Sequence, residues 1–101
     1  MPMETLAEAL ARLTASGYVD EFRAVAAGLR SRASGTARPP ERFRVDEIVR
    51  FEGASDPDDE SAVFALTAED DGAQGTYTVA FGPMMDACDA EAVRRLKERP
   101  R

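Results

Sequence analysis

The sequence contains no histidine, no tryptophan and a single cysteine, Cys88. Without histidine it lacks the commonest general base at neutral pH and the commonest transition-metal ligand. One cysteine excludes an internal disulfide framework and fits a reducing compartment. Long apolar runs are missing too, and nothing approaches the roughly 20 residues of a membrane-spanning helix. Near the amino terminus Glu4, Glu8 and Arg12 interrupt the apolar positions, so neither the basic region nor the apolar stretch of a signal peptide is present. A cytoplasmic location is expected.

Large apolar side chains are scarce. Leu, Ile, Val and Phe make up 19 of 101 residues, close to the level, about one-fifth, at which a highly charged chain stays disordered. Alanine supplies another 18. At about 25 cal/mol per Å² an alanine buries too little area to stand in for a leucine. The expected core is therefore thin, in one domain spanning residues 1–101. A thin core at this size is commonly supplemented by a second copy, so a homodimer is expected.

Positive charge is the minority sign, with 13 basic against 19 acidic residues and a net charge of −6. That balance argues against nucleic acid and against anionic membranes as partners. A nucleic-acid mimic would need its acidic residues spread along one face. Arg23, Arg30, Arg32, Arg38, Arg42, Arg44 and Arg50 interrupt any such spread.

What the chain does have is a middle section, Phe43 to Gly82, of three apolar runs separated by acidic and Gly-containing breaks. In the first run Phe43, Val45, Val49 and Phe51 share one face by strict alternation, while Glu47 falls on that same face and requires water or an arginine partner. In the second, Ala62, Phe64, Leu66 and Ala68 alternate with Ser61, Val63, Ala65 and Thr67. In the third, Tyr77, Val79 and Phe81 alternate with Thr76, Thr78 and Ala80. The pattern predicts an antiparallel meander covered on one side.

Thr5 and Glu8 have the spacing of a capping box, and Leu6, Leu10 and Leu13 follow at helical spacing up to Ser16-Gly17. A helix is predicted over residues 6–15. A second helix is predicted over residues 90–98, with Asp89 as N-cap, Glu91 in the first turn, an apolar pair of Val93 and Leu96, and basic residues towards its end. Between residues 19 and 32 the pattern is ambiguous. Val19, Phe22, Ala26 and Leu29 recur at helical spacing, yet Phe22–Val25 and Gly28–Ser31 read equally as two short strands around Ala26-Ala27. Ser34 to Pro40 has the composition of an exposed connection.

At Leu6–Leu10, Gly17–Phe22, Phe43–Gly53 and Asp56–Ser61 the chain resembles a family of small uncharacterised bacterial proteins, some of which carry the label phosphoribosylpyrophosphate synthetase. The resemblance covers most of the chain, and Phe43–Gly53 with Asp56–Ser61 are its most specific parts. It implies a compact α+β module without an assigned role, favours strands over helix for residues 19–32, and offers no catalytic residues. The residues do not support the synthetase label. Asp70 to Thr76 has the outline of a phosphoribosyl pyrophosphate loop, but a strand follows Thr76 where a helix would have to hold the phosphate. The fold class expected is α+β: an antiparallel meander of three to five strands, with an N-terminal and a C-terminal helix packed on one face.

Two acidic clusters fall at opposite ends of the second strand, some 25 Å apart at about 3.3 Å per residue, and so cannot share one ion. Asp56, Asp58, Asp59 and Glu60, joined by Asp86 at the end of the third strand, form a candidate oxygen-ligand set for Mg²⁺ or Ca²⁺. Their spacing lacks the glycine and terminal glutamate of an EF-hand loop. The competing reading is a solvated acidic turn that blunts a sheet end. At the other end Arg38, Arg42 and Arg44 are expected near Glu69 to Asp71 as complementary surface charge. Cys88, flanked by Asp86 and Asp89, is not expected to be a nucleophile. No resident cofactor is expected. The function expected is that of a binding or regulatory module acting through its sheet surface or a homodimer interface. The alternative is an enzyme or cation-binding protein using Asp56–Glu60 with Asp86 and a divalent ion.

Overall fold

A computed structural model describes residues 4–51, 61–82 and 85–97. The chain forms α1 (Leu6–Ala15), β1 (Asp20–Val25), β2 (Gly28–Ser31), β3 (Ala37–Arg38), a 3₁₀ turn (Pro40–Arg42), β4 (Phe43–Phe51), β5 (Ser61–Ala68), β6 (Gln74–Ala80) and α2 (Ala87–Lys97). The capping box at α1 is present: Thr5 Oγ1 accepts from the Glu8 N–H at 3.1 Å and Glu8 Oε1 from the Thr5 N–H at 2.8 Å. Gly17, at φ +111°, takes the left-handed turn that releases the chain from the helix. Residues 20–31 are two strands around Ala26-Ala27.

All six strands belong to one sheet in the order β3-β2-β1-β6-β5-β4. Neighbours are antiparallel except β1 and β6, which pair in parallel at only two positions, Asp20↔Gly75 and Glu21↔Thr76. The expected meander is real in β4-β5-β6, but it is half of a mixed sheet rather than the whole. Short loops exclude parallel pairing only between consecutive strands. Here the two parallel strands are separated in sequence by β2, β3, β4 and β5, and that stretch of chain provides the crossover.

The helices do not share a face. Leu13 of α1 packs with Val63 and Ala65, whereas Ala92, Val93 and Leu96 of α2 pack with Phe64, Leu66 and Tyr77. Odd and even residues of β5 point to opposite sides, so α1 and α2 cover opposite faces, and five consecutive residues, Ala62 to Leu66, are buried. The one-sided sheet expected from alternation becomes, at its centre, a sheet covered on both sides. Alanine explains the misreading: a small residue facing α1 looked like a polar-side filler when it is a contact surface.

A bulge breaks the expected single apolar face of β4. Val45 pairs with Leu66 and Glu47 with Ala65, leaving Asp46 as the extra residue. Before it, Phe43 and Val45 face α2; after it, Val49 and Phe51 face α1 beside Val63 and Leu13. Glu47 comes to the α1 side, where it meets both of the expected alternatives: its side chain is exposed to water, and Arg12 Nη2 lies 2.8 Å from its Oε2.

The sheet is strongly curved. Its outermost strands, β3 and β4, are joined by residues 39–42 alone. Six flat strands would put the edges about 24 Å apart, whereas five residue steps reach at most about 18 Å. The edges must curl towards each other, and the Phe22 and Phe43 rings meet edge to face at 4.9 Å across the interior. The same curl lets Arg38, whose side chain is 9% exposed, reach Asp70 at 2.9 Å and Asp71 at 2.7 Å. Of the three arginines expected near the Glu69–Asp71 turn, Arg38 makes the ion pairs, and makes them nearly buried rather than on the surface; Arg44 pairs with Asp46 instead.

Candidate functional site

The parallel junction that holds the two halves of the sheet together also opens a groove. Arg32 N–H donates to the Glu21 carbonyl at 2.9 Å, which turns the Glu21 backbone towards β2. Alternation then turns the backbone of Phe22 and Ala24 towards β6. The β1–β6 ladder nevertheless ends at Glu21↔Thr76. Beyond that point the strands bound a groove of about 660 Å³, a size typical of small-ligand sites.

The groove's lining comes from both faces of the sheet: Arg23, Arg30 and Thr76 on the α1 side, which α1 does not reach here, and Phe22, Tyr77 and Asp89 on the α2 side. Its floor carries two cross-strand rows. In the first, Arg32 pairs with Glu21 in an ion pair, next to Thr76. In the second, Arg23 stands directly opposite Arg30, and neither guanidinium has a hydrogen bond or ion pair among the described residues. Like charges directly opposite on a sheet are mutually destabilising. Arg42 and Arg50 also have no carboxylate partner among the described residues; what sets Arg23 and Arg30 apart is that they face each other across the hairpin. Thr76 is 5% exposed and lines the groove, and its hydroxyl makes no hydrogen bond to the described residues. At the opposite wall Tyr77 donates to Asp89 Oδ1 at 2.5 Å. Burial, and then that bond, push the Tyr77 phenol far above its ordinary range, so it is a fixed donor and not an acid–base group.

The residues picked out from sequence lie elsewhere. Asp56, Asp58, Asp59 and Glu60 fall outside the described residues. Asp86 is described, and it is the cap of α2: its Oδ1 accepts from the Cys88 N–H at 2.7 Å and its carbonyl from the Ala90 N–H at 3.0 Å. The helix therefore starts three residues earlier than predicted. Asp89, the expected cap, instead sits in the first turn and is taken by Tyr77. Among the described residues no three acidic or sulfur side chains gather in a way that would hold a metal ion. Burial, with Asp86 next, pushes the Cys88 thiol up, away from the thiolate. No helix among the described residues is long and apolar enough to cross a membrane.

The arginine pair was within reach of the sequence. Residues 23 and 30 are equidistant from the Ala26-Ala27 break, so a two-residue hairpin places them opposite each other by counting alone. The groove itself was not legible, because it depends on β1 lying beside β6.

Compared with known proteins, the chain matches no family model, no curated protein and no solved structure.

Proposed function

We propose that the protein is a small binding module that acts through its sheet surface, on the half that α1 leaves open, and that it recognises an anionic group. The observation that carries this reading is the unneutralised Arg23–Arg30 pair on the floor of the groove. A protein gains nothing in stability from two opposed cations, and an anion bound between them offsets the repulsion. Amide-shift mapping by NMR with acetate, succinate, inorganic phosphate and a poly-glutamate peptide tests it. At least one of these is expected to move amides of β1, β2 and β6 saturably. If none does, or if the shifts gather on β4, this reading is lost.

A second reading concerns the opposite end of the sheet. The outer edge of β4 pairs with no strand among the described residues, and Ile48 beside it is 37% exposed. An unpaired strand edge with an exposed apolar side chain is a template for pairing with a second copy. We assign the homodimer to this edge. Light scattering at micromolar concentration is expected to give twice the chain mass, and Ile48→Lys to return it to one. A wild-type protein that is strictly monomeric removes the dimer.

A further inference from the structure

The geometry points to an extended acidic peptide as the partner of this groove, taken up as an added strand between β1 and β6. This rests on the anion-binding reading above and names the partner. The backbone carries the argument. Glu21 has turned its C=O to Arg32 and its N–H to the Asp20 carboxylate, so the pairing Glu21↔Thr76 is made by the backbone of Thr76. Alternation then aims Thr78 at β1, just as it aims Ala24 at β6. Beyond the last pair neither residue has a backbone partner among the described residues. Two strand edges thus face each other unpaired in the middle of the sheet, with the groove of about 660 Å³ between them. An open edge of this kind is a template for another strand.

The direction of pairing agrees. β1 and β6 are the one parallel pair in an otherwise antiparallel sheet. Two parallel strands are what remains when the middle strand is taken out of three antiparallel ones. A peptide running against both restores antiparallel pairing on each side, the slightly more stable ladder. Residues 22–25 span about 13 Å at about 3.3 Å each, which suits a peptide of about five residues.

Charge sets which peptide. Over the whole lining three arginines face Glu21 and Asp89, a net charge of +1, but Asp89 belongs to the α2 side. On the α1 side Arg23, Arg30 and Arg32 stand against Glu21 alone, and Arg23 and Arg30 are exposed. Every second side chain of the added strand stands on that side beside Arg23, where a carboxylate gains a cross-strand partner. Phe22 and Tyr77 already fill the α2 side, so the alternate positions take small residues.

The probe is a capped Glu-Ala-Glu-Ala-Glu peptide, compared with its copy N-methylated at both alanines, with Lys-Ala-Lys-Ala-Lys and with succinate. The acidic peptide is expected to shift Arg23, Ala24, Thr76 and Thr78 amides saturably and to slow hydrogen exchange at Ala24 and Thr78. N-methylation removes two backbone donors and is expected to weaken binding by about tenfold or more. Arg23→Gln is expected to weaken it about two- to fivefold, and Arg30→Gln, one strand further away, by less. Neither variant should melt below wild type, because each removes one of two opposed cations; lost binding is then not lost folding. If the N-methylated peptide binds as tightly as its parent, or if succinate moves β1 and β6 while the peptide does not, strand addition is overturned and the anion-binding reading stands. Equal binding of the lysine peptide overturns the acidic preference. Ala24 and Thr78 amides already protected without peptide overturn the open groove, and protection that grows with protein concentration makes a second copy the occupant instead. Silence from every probe overturns both readings.

Discussion

Gly28→Ala is expected to unfold the β3 edge and to leave the protein close to its stability limit. Gly28 opens β2 at φ +133°, a conformation that side chains rarely adopt. Forcing an alanine into it costs about 1–3 kcal/mol. The added methyl carbon would also stand 2.1 Å from the Arg38 carbonyl oxygen and 2.9 Å from the Pro39 Cα. Both are backbone atoms, so no rotamer change relieves the clash, and overpacking of that kind adds about 1–3 kcal/mol. Together these approach the lower end of the 5–15 kcal/mol typical of a whole domain. Displacing β3 also withdraws Arg38 from Asp70 and Asp71, and the turn between β5 and β6 loses its cross-sheet anchor. Urea unfolding followed by far-UV circular dichroism measures the loss. A variant within about 1 kcal/mol of wild type would mean that β3 does not lie against Gly28 as described.

Gly28 also shows how the fold could be read from sequence and where that reading stopped. The local elements were legible because their signals are local. Thr5 with Glu8 and Ser16-Gly17 bracket α1 at its observed bounds, and the alternation of Phe64, Leu66, Tyr77 and Val79 gave the adjacency of β5 and β6. What alternation could not show is a change of phase. Asp46 inserts one residue into β4, and every side chain after it changes sides, so Val49 and Phe51 left the face assigned to them. Glu47 was the visible trace of that event, a carboxylate standing where an apolar residue belonged. The parallel contact of β1 with β6 was hidden for a different reason. It rests on Gly75, where a Cβ would come within 2.5 Å of the Asp20 carbonyl oxygen. A glycine admitted for close backbone approach looks in sequence like any other glycine.

The candidate site follows from these illegible features more than from the legible ones. Curvature brings β3 and β4 together on one side of the interior, and α2 fills that side. α1 is then left to cover only the β4-β5-β6 half of the other face. The β1–β2 hairpin, paired with β6 at only two positions, presents its outward row to solvent, and that row includes Arg23 and Arg30. Acidic turns at the sheet ends drew attention in the sequence because runs of aspartate are conspicuous. The arginine pair is inconspicuous in sequence, since its members are seven residues apart and only the hairpin makes them neighbours.

The bulge residue Asp46 is expected to be the main carboxylate controlling acid stability, and Asp46→Asn to reveal it. Its side chain, 17% exposed, accepts from Tyr18 Oη at 2.8 Å, Thr67 Oγ1 at 2.5 Å and Arg44 Nε at 2.5 Å. Burial pushes the carboxyl up, but the three hydrogen bonds, led by that from Arg44, outweigh it and hold the group below its ordinary value. A carboxyl lowered on folding stabilises the native state above its unfolded pKa of about 3.9, and that stabilisation is lost as pH falls through the lower folded value. At pH 7 the variant keeps the side chain's shape but replaces a charged acceptor of three bonds by a neutral amide with one acceptor atom. The expected cost is about 1–3 kcal/mol. As pH falls below about 4 the wild-type Asp46 protonates as well, and the two stability curves should converge. Glu4, Asp70 and Glu91 are also held low by arginines. They are unchanged between the two proteins, so the difference curve isolates Asp46. Burial, and then the bond to Asp46, also push the Tyr18 phenol up. Its contribution therefore has the opposite sign, being present below about pH 10 and lost as pH rises through the folded value. Urea midpoints measured from pH 2.5 to 7 decide the matter. A gap between wild type and Asp46→Asn that stays constant across that range would show that the bulge carboxylate is not what its three donors stabilise in the fold.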